Sequence, residues 1–537
     1  MRSGEVELAV QVRGTSGPVV VLVHGYPDTH AVWDRVAAVL EADFRVVTYD
    51  VRGAGESTAP STEDGYRLEH LARDLFAVID EVSPGEPVHV VGHDWGSIQS
   101  WEAVTTPGAR IATFTSISGP CLDHMGHWSR RGVSIARLKQ FVRSWYIVAF
   151  HLPVVAPLFW RLYLARRWGD VLRRLEGVRA TPAPTIASDA VNGISLYRAN
   201  IRQVMGAPRQ RFAPMPVQVV QPTRDRYIRT EPLDLERWVP SLSRRRIAAG
   251  HWAPLSHPEQ LARMISEFVA DPAPPRRLVV VTGGGSGIGR ATAVAFARTG
   301  ARVVVSDVDF ESARKTAGMV DGHAYEVDVR SEEAVRAWAR QVADEHGVPD
   351  VVVNNAGIAH SGSFLSTSAE QWKRVLDVNL WGVVHGCRAF GELMVERGEG
   401  GHIVNLSSVA AYLPSKILSA YASSKAAVFM LSECLRAELA PHAIGVTAIC
   451  PGLVHTNITA TATFSGVSAE EERRKQDRAT RIYARRGFGP EGVAAEIVRA
   501  VRDNRPVVPV TVEAKAAWLA DRVAPGLLRA FARTDPS

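Results

Sequence analysis

The strongest constraint on the fold of this chain is an alternation that runs through it twice. Short apolar, β-branched runs at 19–23, 45–49, 88–91, 113–117, 217–220 and 246–249 alternate with stretches of helical periodicity. After the proline-rich stretch "ADPAPPRR" the pattern restarts, at 278–281, 302–305, 324–327, 351–353, 402–406 and 446–449. Strands alternating with helices predict an α/β class with largely parallel sheets. A chain of 537 residues also exceeds what one ordinary core serves. The expected organisation is a first domain over 1–270, a linker over 271–277 and a second domain over 278–537. No strand pattern is evident from about 122 to 214, a helix-like insertion rich in Arg and Trp.

Composition narrows the function classes. The net charge of +6 is uneven, since residues 121–181 carry eleven basic side chains against three acidic ones. Such a segment suits an anionic lipid or an acidic substrate, or merely a solvated helix face. Nothing resembles a groove-reading or RNA-stacking motif, so no nucleic-acid partner is expected. Cys121, Cys387, Cys434 and Cys450 are scattered, without metal-ligand spacing, as in a cytoplasmic protein with reduced thiols. The opening "MRSGEVELAV" lacks the apolar core of a signal peptide. The apolar stretch 145–164 has the length of a membrane span, but Pro153, Pro157, His151 and Arg161 interrupt it. It predicts peripheral membrane contact rather than a span.

Residues 91–97, "VGHDWGS", end a strand in small-x-nucleophile-x-small. That is the pattern of a nucleophile elbow, where Gly92 and Gly96 leave room for a sharp strand-to-helix turn. The nucleophile position holds Asp94. A carboxylate there can attack an sp³ carbon and form an alkyl ester, which a base-activated water then hydrolyses. The chain order nucleophile, acid, His assigns Asp225 and His251 as partners, each just past a strand. In "VLVHGYPD" the Tyr26 N–H, with the Trp95 N–H after the nucleophile, would form the oxyanion hole.

With these residues and "YDVRGAGES" (49–57), the first 270 residues resemble the epoxide hydrolase and haloalkane dehalogenase branch of the α/β-hydrolases. The resemblance makes the helical insertion a cap over the site. It aligns "SWYIVAFHLP" and "GISLYRAN" with the family's two cap-tyrosine segments, so Tyr146 and Tyr197 would protonate an opening epoxide oxygen. A dehalogenase would instead hold halide with the Trp95 N–H and a second Trp or Asn. This chain departs from the family at His151, at Pro153 and the residues after it, and at Pro222, which puts cap shape and substrate fit in question. Asp123, after an earlier strand, is the alternative acid.

The second half opens with "LVVVTGGGSGIGRA", a strand, a Gly-rich turn and a helix. Gly283, Ser286, Gly287, Ile288 and Gly289 form a turn whose backbone N–H groups and helix start suit a pyrophosphate. Asp307, ending the next strand, suits a ribose 2′-OH and repels a 2′-phosphate. NAD is therefore expected, with Arg290 as the residue that would permit NADP. Tyr421 and Lys425 lie four apart on one helix face, where an ammonium can lower a phenol pKa.

The series from "NNAG" (354–357) through Ser407-Ser408 and "YASSK" (421–425) to Pro451-Gly452 resembles the short-chain dehydrogenase/reductases over about 276–510. By that resemblance Tyr421 exchanges the substrate proton and Lys425 also holds the nicotinamide ribose. Ser408 orients the substrate oxygen, and Asn379 supports a proton-relay water. Asp328 and Val329 flank adenine, Asn355 contributes to the cofactor site, and a homo-oligomer through this domain is expected. The two resemblances together imply a bifunctional enzyme on a small, lipid-like substrate, as in fusions familiar from mycobacteria and other actinobacteria. The diol of the first site would be a candidate alcohol for the second. The competing readings are a dehalogenase first domain, and a catalytically silent hydrolase fold that only binds ligand.

Overall fold

The structure, a computed structural model, describes residues 1–132, 134–228, 233–274 and 276–532. It separates into two compact units, Met1–Pro275 and Arg276–Ser537. The division falls within the expected linker, of which Pro275 lies outside the described residues.

The sheet of the first unit has seven strands. Their order is Val10–Arg13, Arg45–Tyr49, Val19–Val23, Val88–His93, Ile111–Ile117, Val217–Pro222 and Leu242–Ile247. All pairs are parallel except Val10–Arg13, which runs against Arg45–Tyr49. The central strand Val19–Val23 is pure Val and Leu, and Val20 to Val23 are fully buried, as expected of a strand covered on both faces. Pairing of Val23 with Gly92 sets the 24–28 turn beside the end of the elbow strand.

Two edges differ from the sequence reading. The last strand spans Leu242–Ile247 rather than 246–249, because the alternation "LSRRRI" can turn arginines outward from an edge while Ser243 and Ile247 are buried. The antiparallel Val10–Arg13 was not expected; its four residues are half-exposed and carry no apolar run.

Between Ile117 and Val217 no described residue forms a strand. The insertion is a run of helices, principally Leu122–Ser129, Ile135–Arg143, Trp145–Phe150, Val155–Phe159, Ala165–Glu176 and Ile186–Gly206. The apolar stretch 145–164 is thus broken ahead of Val155, where Pro153 cannot continue a helix, while Pro157 is tolerated in a first turn. No helix among the described residues is long and apolar enough to cross a membrane. The cap is tied down by polar contacts. Asn200 accepts from the Leu68 N–H and donates to the Tyr66 carbonyl, and Arg209 and Arg211 bridge Glu102 and Asp123.

The second unit is a seven-stranded, wholly parallel sheet. Its order is His323–Glu326, Arg302–Asp307, Leu278–Thr282, Val351–Asn354, Gly401–Leu406, Ile444–Cys450 and Val507–Pro509. The order reverses between Leu278–Thr282 and Val351–Asn354, the switch point where doubly wound sheets bind nucleotides. Val507–Pro509, three residues ending in Pro, is too short to carry a strand signal.

Candidate active sites

Asp94 stands between the strand Val88–His93 and the helix Trp95–Val104 with φ 51° and ψ −123°, a conformation that non-glycine residues rarely adopt. Its surroundings need glycine. A Cβ on Gly96 would lie 2.1 Å from the Val23 carbonyl, and one on Gly92 would lie 2.5 Å from Ser97 Cα. Asp94 does not cap the helix with its side chain. Instead its Oδ1 accepts the Tyr26 N–H at 2.9 Å, and its Oδ2 faces His251 Nε2 at 3.4 Å. Of the two expected oxyanion donors, Tyr26 is therefore the one engaged, and Oδ2 is the oxygen on the His251 side.

His251 is oriented by Asp225, whose Oδ2 lies 2.9 Å from Nδ1. The other oxygen of Asp225 accepts the Tyr227 and Ile228 N–H groups at 2.8 and 3.1 Å. Burial favours neutral groups here, yet the pair stays charged. Burial pulls the His251 pKa down, but Asp225 and Asp94 outweigh it and hold the imidazole well above its ordinary value. Burial would raise Asp225, and His251 overcomes this and lowers it. Asp123 lies in a separate ionic cluster, 3.0 Å from Arg209, and does not serve His251. Pro222 does not disturb the acid, because it completes the strand Val217–Pro222 before the chain turns to Asp225.

Both cap tyrosines converge on Asp94. Tyr146 comes from Trp145–Phe150 and Tyr197 from Ile186–Gly206, and their rings meet edge to face at 6.0 Å. Tyr197 also packs on Trp95 at 4.9 Å and on Tyr26 at 5.5 Å. Burial pushes both phenols far up, and the charge of Asp94 adds to it, so both keep their protons. The Trp95 indole is directed toward the Tyr197 hydroxyl. His151 is exposed and bonds only the Ile147 carbonyl among the described residues.

Sequence reasoning missed several groups in this site. Tyr227 stacks edge-on to His251 at 4.9 Å and to Tyr146 at 5.7 Å, closing the wall between base and cap. Asp28, held by the Trp252 indole N–H at 2.9 Å, is pushed by burial up to about 7 beside Asp94 and His251. His93 bonds the His251 carbonyl at 2.9 Å, and burial drives its pKa down to about 4. Asp28 and His93 lie inside recognised motifs, but only the folded register brings them together.

In the second unit the Gly-rich turn is built as expected. Gly283 and Gly287 have φ of 60° and 51°, and a Cβ on Gly289 would lie 2.2 Å from the Gly283 carbonyl. The helix Gly287–Ala297 starts at Ser286 without a side-chain cap, so the N–H groups of Gly287, Ile288 and Gly289 are open to an anion. Asp307 ends its strand and accepts the Gly285 N–H at 3.0 Å. Arg290 is spent on the Gly285 carbonyl and on Thr316. Asp328 is paired with Arg330, and Val329 is buried beside Gly382.

Two expected contributors also brace the backbone around the site. The Asn355 amide donates to the Thr282 and Gly283 carbonyls at 3.0 and 2.9 Å, so it braces the turn. Asn379, fully buried in the π-helical turn Asp377–Trp381, clasps both the N–H and the carbonyl of Ile358. Its side chain therefore holds 357–358 beside Lys425.

Tyr421 and Lys425 lie on the helix Ser419–Leu439, with Nζ 5.9 Å from the phenol ring centre. Burial pushes the Tyr421 phenol up to about 12, and the hydrogen bond with Ser408 only partly opposes it. Burial brings the Lys425 pKa down to about 8, and its ammonium is directed to the Leu406 carbonyl at 2.8 Å. A residue not anticipated is Thr456, whose side chain packs against Gly287 at the mouth of the turn.

An aspartate elbow under a helical cap, followed by a switch-point sheet with a Ser, Tyr and Lys set, defines a class: a hydrolase-fold unit fused to a short-chain dehydrogenase. The comparisons agree. The alpha/beta hydrolase fold matches residues 18–258, and the short chain dehydrogenase family matches 277–464. "Probable oxidoreductase EphD" of Mycobacterium tuberculosis H37Rv is 45% identical over 574 residues, covering 98% of this chain and 97% of that protein. "Putative oxidoreductase SadH" of the same organism is 35% identical over 255 residues, 46% of this chain and 90% of that one. A solved short-chain dehydrogenase/reductase from Burkholderia phymatum, in complex with NAD, is 30% identical and covers 49% of this chain and 98% of its own, with a TM-score of 0.43. The chain belongs to the family of EphD-like proteins, in which an α/β-hydrolase unit precedes a short-chain dehydrogenase unit.

Proposed function

We propose that the first unit hydrolyses an epoxide to a vicinal diol, and that the second interconverts an alcohol and a ketone with NAD. The observation that carries the first assignment is the convergence of two protonated cap phenols on a carboxylate nucleophile. Asp94 Oδ2 attacks an epoxide carbon. The ring C–O bond breaks, and Tyr146 and Tyr197 donate to the oxygen that leaves the ring. The product is a 2-hydroxyalkyl ester of Asp94, whose carbonyl oxygen is Oδ1, already held by the Tyr26 N–H.

Alkylation removes the Asp94 charge, and with it one of the two charges that keep His251 protonated, so the imidazolium proton passes to the phenol that gave its own to the opened oxygen. The neutral imidazole takes a proton from water, and hydroxide adds to the ester carbonyl carbon. Negative charge builds on Oδ1 against the Tyr26 N–H. Collapse expels the diol oxygen, which recovers the proton from His251. A halide needs N–H donors rather than phenols, and the Trp95 indole is turned to Tyr197. Incubating the protein with styrene oxide and with 1-chlorobutane tests the assignment. Diol without chloride release supports it, and chloride release without diol contradicts it.

In the second unit, the open helix start at Ser286 and the crowding at Gly289 fit a pyrophosphate, and Asp307 fits an unphosphorylated ribose. The nicotinamide supplies the hydride acceptor or donor when bound. Tyr421 passes the substrate oxygen its proton or receives it, and Ser408 hydrogen-bonds the same oxygen. Lys425, nearly dry beneath them, fixes a positive charge where the phenol must ionise. Reduction of NAD by a panel of secondary alcohols, lost on Tyr421→Phe, tests this half.

A further inference from the structure

The outer face of the cap is apolar to a degree the rest of the surface is not. Among the described residues, nearly half of the large apolar side chains that stand exposed fall within 138–163. Phe141, Trp145, Val148 and Leu162 are 73%, 69%, 66% and 70% exposed. Single exposed apolar residues need no explanation, but a contiguous patch on consecutive helices does.

Loose packing is not the reason, because the opposite face of the same helix is committed. In Trp145–Phe150, Tyr146 and Phe150 pack on Tyr197 at 6.0 and 4.9 Å above Asp94, while Trp145 and Val148 are bare. This one helix is therefore both the roof of the pocket and part of the patch.

Charge decides what could cover the patch. No carboxylate occurs between Asp123 and Asp170, a stretch with eight Lys and Arg. Lys139, Arg161 and Arg166 have no carboxylate partner among the described residues. A second copy meeting this face about a twofold axis would set cations against cations. An anionic lipid surface has the complementary charge, accepts Trp and Tyr at headgroup depth, and lets long basic side chains extend from an apolar base.

We propose that this face docks the first unit on an anionic lipid surface, so that the Asp94 pocket takes its substrate from the bilayer through the cap. The second clause rests on the epoxide assignment; the docking does not.

The test is flotation of the full-length protein with phosphatidylcholine vesicles, with and without phosphatidylglycerol, at low and high salt. Binding is expected only to the anionic vesicles and only at low salt, with screening releasing the protein. Each basic charge contributes roughly fivefold to partitioning, so Lys139→Glu with Arg166→Glu should weaken it by well over about twentyfold. Phe141→Ser with Trp145→Ser should weaken it by about tenfold or more, with turnover of water-soluble styrene oxide unchanged and turnover of a bilayer-dissolved long-chain epoxide reduced. Circular dichroism and styrene oxide turnover report whether the variants fold. Protein that stays with the soluble fraction at low salt, or variants that bind like the parent, would overturn the proposal. So would self-association that depends on Phe141 and Trp145 without vesicle binding. Vesicle binding by a protein that opens no epoxide would leave the docking standing and defeat the reaction assignment instead.

Discussion

His251 is held between two carboxylates, with Nδ1 2.9 Å from Asp225 and Nε2 3.4 Å from Asp94. The two ends have different fates in the proposed cycle, because Asp225 keeps its charge and Asp94 loses it on alkylation. The raised pKa of His251 therefore belongs to the resting enzyme and falls once the ester forms. Attack does not need a neutral imidazole, but ester hydrolysis does. As pH falls through the imidazole pKa of the ester form, hydrolysis should slow more than alkylation, and the ester should accumulate. Rapid-quench measurements at successively lower pH should show a growing burst. A burst independent of pH would mean that His251 is not the base.

The acid assignment is separable by mutation. Asp123→Ala should leave Arg209 and Arg211 without one of their two buried partners and destabilise the fold by about 2–3 kcal/mol, less than a fully buried pair because Arg209 is partly exposed. Turnover per folded molecule should persist. Asp225→Asn should instead leave stability closer to the parent and slow ester hydrolysis by orders of magnitude. Reversal of these two outcomes in urea melts and single-turnover assays would make Asp123 the acid.

Lys425 is 4% exposed, and burial lowers its pKa from 10.5 to about 8. Between those values the unfolded chain binds the proton and the folded chain does not, so stability rises with pH across that window. The penalty is fully present below about pH 8 and amounts to about 3 kcal/mol. Lys425→Met should therefore raise the melting temperature at pH 7 while abolishing alcohol oxidation. The gain should shrink toward pH 10. A lower melting temperature at pH 7 would show that the bond to the Leu406 carbonyl outweighs desolvation.

Cofactor choice should follow Asp307. Its carboxylate faces the Gly-rich turn, and Arg290 is engaged with Gly285 and Thr316 rather than turned to a 2′-phosphate. Discrimination against NADPH should be about 2–3 kcal/mol from repulsion and a lost hydrogen bond. Asp307→Ser should narrow it and also weaken NADH, because the bond to the Gly285 N–H is lost. Fluorescence titrations showing equal or tighter NADPH binding to the parent would contradict the assignment.

What the sequence revealed was what repeats locally. Val and Ile runs mark buried strands wherever both faces are covered, so most central strands fall where the pattern places them. The edge strands Val10–Arg13 and Leu242–Ile247 do not, because half-exposed strands mix arginine into the alternation. Asp94, Asp225 and His251 were legible because each sits at a strand end in a fixed chain order. Tyr227, Asp28 and His93 were not, since their part comes from burial and register across distant segments. The Tyr421 and Lys425 pair shows the limit most clearly. Spacing places an ammonium beside a phenol, but only the packed structure shows that desolvation dominates both.

The account turns on a covalent bond to Asp94, and intact-mass spectrometry tests that most directly. The His251→Gln variant, mixed with an epoxide that the parent enzyme turns over, should gain the mass of one epoxide molecule, and peptide mapping should place it on Asp94. The Asp94→Asn variant should gain nothing and turn nothing over. A His251→Gln protein that stays unmodified under those conditions would contradict covalent catalysis by Asp94.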